Sequence, residues 1–411
     1  MMRNSSVVGF IGVAALYGAF PCGVSAQDFF EDLDRRLTFA TADGAVVTDV
    51  SMITDVVVFA QDAPAQGLLI SDNDLVVAPR LAVFFDTGIG ERVRAHVQLD
   101  FDTGSDPHAE SQGDVRLDEY FVEGRVTEVG RLTVRAGKFA TAFGGWVARH
   151  LASDNPMITA PLLYEDVLPI TDRALPRDRA AFAQRRDVVD KQSAWLPIVW
   201  AAAYTSGVSL RAGSDTFDAT VEVKNASISS RPKVWDVLPD GSETDPSVTA
   251  HVRWQPAQEW SLGSSFSRGA YLQDDVTPPL PVDRRIDDFD QTTWGLDAAY
   301  AHRSVQIWSE LARVEFAVPG IGDVHGLSGY VESRYKISPQ VWLGARWNQS
   351  WFDDVPGLDM TWNRDMRRLD LALGYRHSAH LQVKAQYSRS DQAGRSIDGE
   401  HLFAAQCVVW F

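Results

Sequence analysis

Charged side chains recur at every second position in several stretches of this chain, a spacing that puts them on one face of an extended strand. Arg92, Arg94, Asp100 and Asp102 alternate with Val93, Ala95, Val97, Leu99 and Phe101. Arg368, Asp370 and Arg376 interleave with Leu369, Leu371, Leu373 and Tyr375, and Lys384 stands between Val383 and Ala385. By the same rule Glu119, Glu123, Arg135, Arg334 and Arg346 share that charged face. A face so heavily charged must meet water, and rings of one sign around an aqueous space would set an ion preference. Here the two signs nearly cancel, so the expectation is a wide, weakly selective passage.

Covalent chemistry has little support. His302 and Ser304 supply the residue types of a base and a nucleophile, but they fall at a short turn, where no strand face aims both at a common target and no third group orients the base. The nine histidines show no metal-cage spacing. No Gly-x-x-x-x-Gly-Lys run is present to cradle a phosphate. The expectation is no catalytic site, no metal and no cofactor.

The elements that carry these faces are strands of a particular kind. Opposite the charges lies an apolar face, and apolar-out, polar-in alternation belongs to a sheet whose outer surface touches hydrocarbon and whose backbone groups are satisfied by closure. Counting from Val46 to Phe411 gives about sixteen such segments, the even number a single-chain barrel uses. Short links such as Thr87-Gly88-Ile89-Gly90, Ala301-His302-Arg303-Ser304 and His377-Ser378-Ala379-His380 alternate with long polar stretches such as 103–114, 226–246 and 352–365. The predicted fold is therefore all-β: a transmembrane antiparallel β-barrel with short periplasmic turns and long extracellular loops. Pro79 is expected to delay its strand to Arg80, because a closed sheet has no free edge for proline. Trp254, Trp260, Trp294, Tyr300, Tyr335, Trp351, Tyr375 and Tyr387 sit near segment ends, where amphipathic rings anchor at the two interfaces.

Arg3, the apolar run from Val7 to Phe20, and Val24-Ser25-Ala26 read as a secretory signal over residues 1–26. Cys22 falls within it, so Cys407 is left without an internal disulfide partner. Residues 27–45 read either as a periplasmic extension or as an extra strand, and 46–411 as the barrel. A net charge of −17 disfavours nucleic acid as a partner.

One connection is too long for a turn. Residues 141–197 carry Trp146, Arg149, His150, Arg173, Arg177, Arg185 and Arg186 among many aliphatics, and loops of that length are functional or disordered. The expectation is an ordered segment folded into the lumen as a constriction, with an extracellular flap as the alternative.

Two motif groups add a family likeness. The last strand, ending Cys407-Val408-Val409-Trp410-Phe411, resembles the closing strand of bacterial outer-membrane proteins, which implies that Phe411 is read by the barrel-assembly machinery. Arg116-Leu117-Asp118-Glu119-Tyr120, Arg135-Ala136-Gly137-Lys138-Phe139 and Phe143-Gly144 resemble the strands before the long loop of the phosphate-selective porin family, with Ala142 where a proline is usual. That likeness implies a sixteen-stranded, often trimeric channel in the cell outer membrane, though the mixed charges do not carry phosphate specificity with them. The partners expected are outer-membrane lipid and lipopolysaccharide, the assembly machinery and a possible homotrimer. The functional expectation is a porin-like channel for passive diffusion of small hydrophilic solutes or ions. The alternatives are a plugged or structural barrel serving secretion or envelope assembly, and a membrane-embedded lipid hydrolase built on His302 and Ser304.

Overall fold

The computed structural model describes residues 33, 36–61, 74–102, 114–127, 131–187, 195–233, 246–280, 282–394 and 400–411; residues 1–26, read above as a secretory signal, lie outside them. Sixteen strands form a closed antiparallel ring. They are β1 Val46–Gln61, β2 Leu75–Ile89, β3 Val93–Asp102, β4 Asp114–Arg125, β5 Leu132–Phe139, β6 Thr205–Gly213, β7 Phe217–Lys224 and β8 Ser247–Ala257. The second half comprises β9 Trp260–Ala270, β10 Asp290–His302, β11 Val305–Val318, β12 Gly322–Lys336, β13 Val341–Phe352, β14 Met366–Arg376, β15 Leu381–Gln392 and β16 Glu400–Trp410. Each pairs with its chain neighbour, and β16 closes on β1 from Leu402↔Gln61 to Trp410↔Ile53. Closure gives every strand two partners, the condition for holding a sheet in hydrocarbon. Phe411 extends the seam, its N–H and carbonyl both bonded to Met52, at 3.1 and 3.0 Å.

The period-two alternation sorts as expected. On β14, Leu369, Leu371, Leu373 and Tyr375 are exposed, while Arg368, Asp370 and Ala372 are buried inside the ring. The outer apolar belt lies between two rows of aromatic contacts: Phe266 with Trp294 at 4.5 Å toward the long-loop rim, and Trp260 with Tyr300 at 4.7 Å toward the short-turn rim. Beyond the upper row the outer face turns polar, with Arg268–Asp290 at 2.6 Å, Arg367–Asp391 at 3.1 Å and His325–Glu315 at 3.4 Å.

Local details depart from the expectations or add to them. β2 begins at Leu75 and contains Pro79, paired to Val56 on the β1 side. Its ladder with β3 starts only at Arg80↔Asp102, so among the described residues Pro79 stands where one side of β2 is unpaired and a missing N–H costs little. The turn after β2 is Gly90-Glu91-Arg92, because the ladder runs on through Ile89, and it places Arg92 on an exposed turn instead of the lumen wall. On the long-loop rim, β11 and β12 are joined by only 319–321, since these two strands themselves climb beyond the belt. Within 27–45, Thr38–Ala40 forms a short strand on β1, outside the ring.

Candidate functional site in the lumen

A sixteen-stranded barrel encloses a wide aqueous space, and here the segment between β5 and β6 occupies much of it. A backbone entering such a space needs a partner for each N–H and C=O. The wall supplies them in sequence around the ring. Glu119 on β4 accepts from Ala140 N at 2.8 Å, Glu222 on β7 from Ala142 N at 3.0 Å, Ser265 on β9 from Gly144 N at 2.9 Å, and Glu310 on β11 from Gly145 N at 3.2 Å. The next wall strands carry donors for the loop's carbonyls. Lys384 on β15 reaches Ala152 and Asn155 oxygens at 2.9 and 3.0 Å, Arg346 on β13 the Thr159 oxygen at 3.1 Å, and Arg368 on β14 the Ala160 oxygen at 2.5 Å. Carboxylates meet N–H groups and cations meet carbonyls, which accounts for both signs on the inner face where the loop docks.

A buried chain of ion pairs clamps this arrangement. Arg149 of the loop meets Glu332 at 2.5 Å, Glu332 meets Arg346 at 3.2 Å, Arg346 meets Asp370 at 2.8 Å, Asp370 meets Arg368 at 3.1 Å, and Arg368 contacts Glu165 of the loop. Tyr164 and Tyr330 donate their hydroxyls to Glu310 at 2.5 and 2.6 Å. Two glycines make room. Gly144 has φ +73°, and a Cβ there would lie 2.1 Å from the Tyr164 hydroxyl; at Gly344 a Cβ would approach the Met157 methyl to 3.0 Å.

Trp146 packs against Tyr164, ring centres 4.7 Å apart. His150 donates through Nδ1 to the Val147 carbonyl at 2.6 Å and accepts through Nε2 from Tyr204 at 2.7 Å, the bonding of a neutral ring, and burial holds its pKa below the ordinary range. Burial likewise pushes the Asp166 carboxyl up to about 7. Not all of the segment narrows the lumen. After Thr171 the chain climbs to the long-loop rim, where Arg173 faces Asp275 at 3.5 Å, Arg177 is exposed, Arg185 donates to the Ala174 oxygen at 2.6 Å and Arg186 to the Thr361 oxygen at 2.7 Å. Arg173, Arg185 and Arg186 make rim contacts and Arg177 is exposed there, so these four lie at the rim and not in the constriction expected of them.

The remaining inward residues divide by height. Toward the short-turn rim Arg94 pairs with Asp86, Arg135 with Glu123 at 2.8 Å and Arg334 with Gln306 at 2.7 Å, while Arg376 is exposed with its guanidinium 5.3 Å from the Trp410 ring centre. Asp100 and Asp102 line a cavity of about 340 Å³ left between the loop and the wall of β16, β1, β2, β3 and β4. Asp55, Arg80, Arg116 and Asp118 also line it. Arg80 bonds Asp55 at 3.0 Å; Arg116 bonds Asp102 at 2.5 Å and Asp118 at 3.2 Å.

Strict alternation missed Arg116 and Asp118. Counted back from Glu123 and Glu119 they belong on the outer face, but the β3–β4 ladder slips between Gln98↔Glu119 and Leu99↔Leu117, and that bulge brings both Asp118 and Glu119 inward. Asp55 was hidden in the apolar run Val56-Val57-Val58-Phe59, where period two shows no contrast. The proposed hydrolytic pair is not assembled: His302 ends β10, Ser304 lies in the turn after Arg303, and among the described residues no hydrogen bond joins them.

No family model matches the chain, and no curated protein matches it. Solved structures do. The loop L8 deletion mutant of OmpT, an outer membrane protein of Vibrio cholerae, aligns with TM-score 0.57 and 11% identity over 89% of this chain and 100% of that one. The outer membrane channel DcaP of Acinetobacter baumannii aligns with TM-score 0.55 and 13% identity over 91% and 99%. The anion-selective porin from Comamonas acidovorans aligns with TM-score 0.54 and 11% identity over 89% and 100%. At these identities the likeness establishes the fold, that of outer-membrane porin barrels; the phosphate-selective subfamily is not singled out by it.

Proposed function

We propose that this chain is an outer-membrane channel for passive diffusion of small hydrophilic solutes, with a preference for cations. The observation that carries the reading is that the infolded loop is held to one side. After its entry across β4, β7 and β9 it is bonded to β11–β15, and it leaves the 340 Å³ space chiefly along β16 and β1–β4. That space follows β1 from Ile53 to Gln61, eight residue steps, or about 26 Å of strand.

The charges that matter for selectivity are those still facing water. Arg346 and Lys384 are occupied by loop carbonyls, and Arg368, held by the Ala160 carbonyl, borders the space; Asp55, Asp100, Asp102, Asp118, Glu165 and Glu400 line it against Arg80, Arg116 and Arg368. An acidic lining favours cations, which departs from the weak selectivity read from whole-lumen balance. In planar bilayers under a KCl gradient the expected result is discrete ohmic steps and a reversal potential on the potassium side. A folded protein that conducts nothing would establish the plugged-barrel alternative. The outer apolar belt supports lipid contact and allows a trimer, which cross-linking in native membranes would detect as a three-copy band.

A further inference from the structure

The charge of the lumen changes sign along the barrel axis. From mid-height to the long-loop rim the passage is lined by six carboxylates against three guanidinium groups. At the short-turn ends of β12 and β14 the inward positions are instead Arg334, Lys336 and Arg376. Their neighbours fix that direction: Glu332, two residues before Arg334, is buried, Lys336 pairs across with the buried Trp342, and Arg376 with the buried Gln382. Arg94, Arg135 and Arg211, at the same end on other strands, are each neutralised, by Asp86, by Glu123 at 2.8 Å and by Asp218 at 2.7 Å. The cations of β12 and β14 are not. Arg334 donates to the neutral Gln306 amide at 2.7 Å, the Arg376 guanidinium faces the Trp410 ring, and Lys336 is exposed; among the described residues none of the three joins a carboxylate. The charges acting on Arg334 are Arg376 and Arg149 before Asp154 and Glu332, and Glu332 is already held by Arg149 and Arg346. Arg125 and Arg253, inward at the feet of β4 and β8, add two cations, Asp49 and Asp154 subtract two, and the short-turn end keeps an excess of positive charge.

From this reversal we infer that the channel is bipolar and passes ionic current more readily with its long-loop side positive than with the polarity reversed. The inference rests on the channel reading. Carboxylates enrich cations along the passage and the basic mouth enriches anions, each over the screening length of the solution, about 10 Å at 0.1 M salt. With the long-loop side positive, cations enter through the acidic stretch and anions through the basic one, so the pore fills with carriers. Reversing the voltage draws both out, and it empties. Arg376 stands beneath the passage itself: Trp410, whose ring centre its guanidinium approaches to 5.3 Å, belongs to β16, which also lines the passage through Gln406. None of these three cations is spent on the loop, whose carbonyls are held by Arg346, Arg368 and Lys384.

The test is single-channel current through the full chain in neutral phosphatidylcholine bilayers with the same KCl solution in both chambers. Protein added to one chamber keeps its long polar loops on that side, because carrying them through hydrocarbon costs far more than carrying the short turns. At 1 M, where screening falls to about 3 Å, equal and opposite voltages should give equal currents. In tenfold more dilute salt the current with the long-loop side positive should exceed the reverse current by about twofold, a modest consequence of the several-kT potentials that charged clefts create. Lys336→Gln with Arg376→Gln, both exposed, should bring that ratio close to unity. Arg367→Gln, a cation lost from the outer face beside Asp391, should leave it unchanged. Equal currents in dilute salt, a larger current in the opposite direction, or an asymmetry that survives the double substitution overturns the inference while leaving the channel intact. A folded protein that carries no current removes the channel reading and this one together.

Discussion

At the scale of single residues, Gly144 controls whether the loop seats. Its backbone lies in the left-handed region, and a side chain would collide with the Tyr164 hydroxyl and the Glu310 carboxylate. Gly144→Ala adds about 1–3 kcal/mol of backbone strain to that collision. The expected outcome is a folded barrel with larger, noisier unit conductance and trypsin cleavage at Arg149, a bond the wild type protects by burying that side chain against Glu332. Arg368 makes a second case. Arg368→Met leaves Glu165 inside the lumen without its cation while Asp370 keeps Arg346, and breaking a buried pair in this way costs about 3–5 kcal/mol. Loss of loop protection against trypsin, with the barrel's heat-dependent gel shift retained, is the result expected.

At the scale of elements, the connection between β5 and β6 is an inner lining built on the wall's side chains. Deleting residues 151–160 removes the carbonyls held by Lys384, Arg346 and Arg368, and these three cationic wall residues then face the widened lumen. Conductance should rise severalfold and the cation preference should fall, both read from single-channel recordings. A deletion confined to 174–186 removes only rim contacts and should leave conductance near the wild-type value. The strands carry their own test. Leu371 lies mid-strand on the outer face of β14, where an arginine costs about 2–4 kcal/mol in a bilayer. Arg313 faces outward on β11 level with Trp294, in the upper aromatic row, so Arg313→Leu should be nearly neutral. Guanidinium unfolding of vesicle-inserted protein compares the two.

For the molecule as a whole, the acidic net charge of −17 and the apolar belt belong to different surfaces. The belt is rimmed by paired charges such as Arg268–Asp290, so the mature protein should need detergent for extraction. A chain that stays dissolved without it would contradict the lipid-facing reading of Leu371 and Leu373.

Much of this was legible before any fold was known. Period two in segments such as Arg368–Arg376 assigns one face to lipid and the other to the lumen, because an extended backbone has no other way to separate its side chains. Once the faces were assigned, the strand number followed from counting, and the closing role of the last segment from its resemblance to the closing strands of outer-membrane proteins. Other features were not legible. Alternation says that Arg346, Arg368 and Lys384 point inward, but not whether water or a loop carbonyl stands opposite. The bulge beside Glu119 hid Asp118, and the two-sided apolar stretch Val56–Phe59 hid the inner wall that it forms. The sequence alone determined the barrel and its two faces, since these depend on local backbone geometry. The tertiary structure decided which lumen charges grip the loop and which face the passage, since that depends on where residues far apart in the chain come to lie within the closed ring.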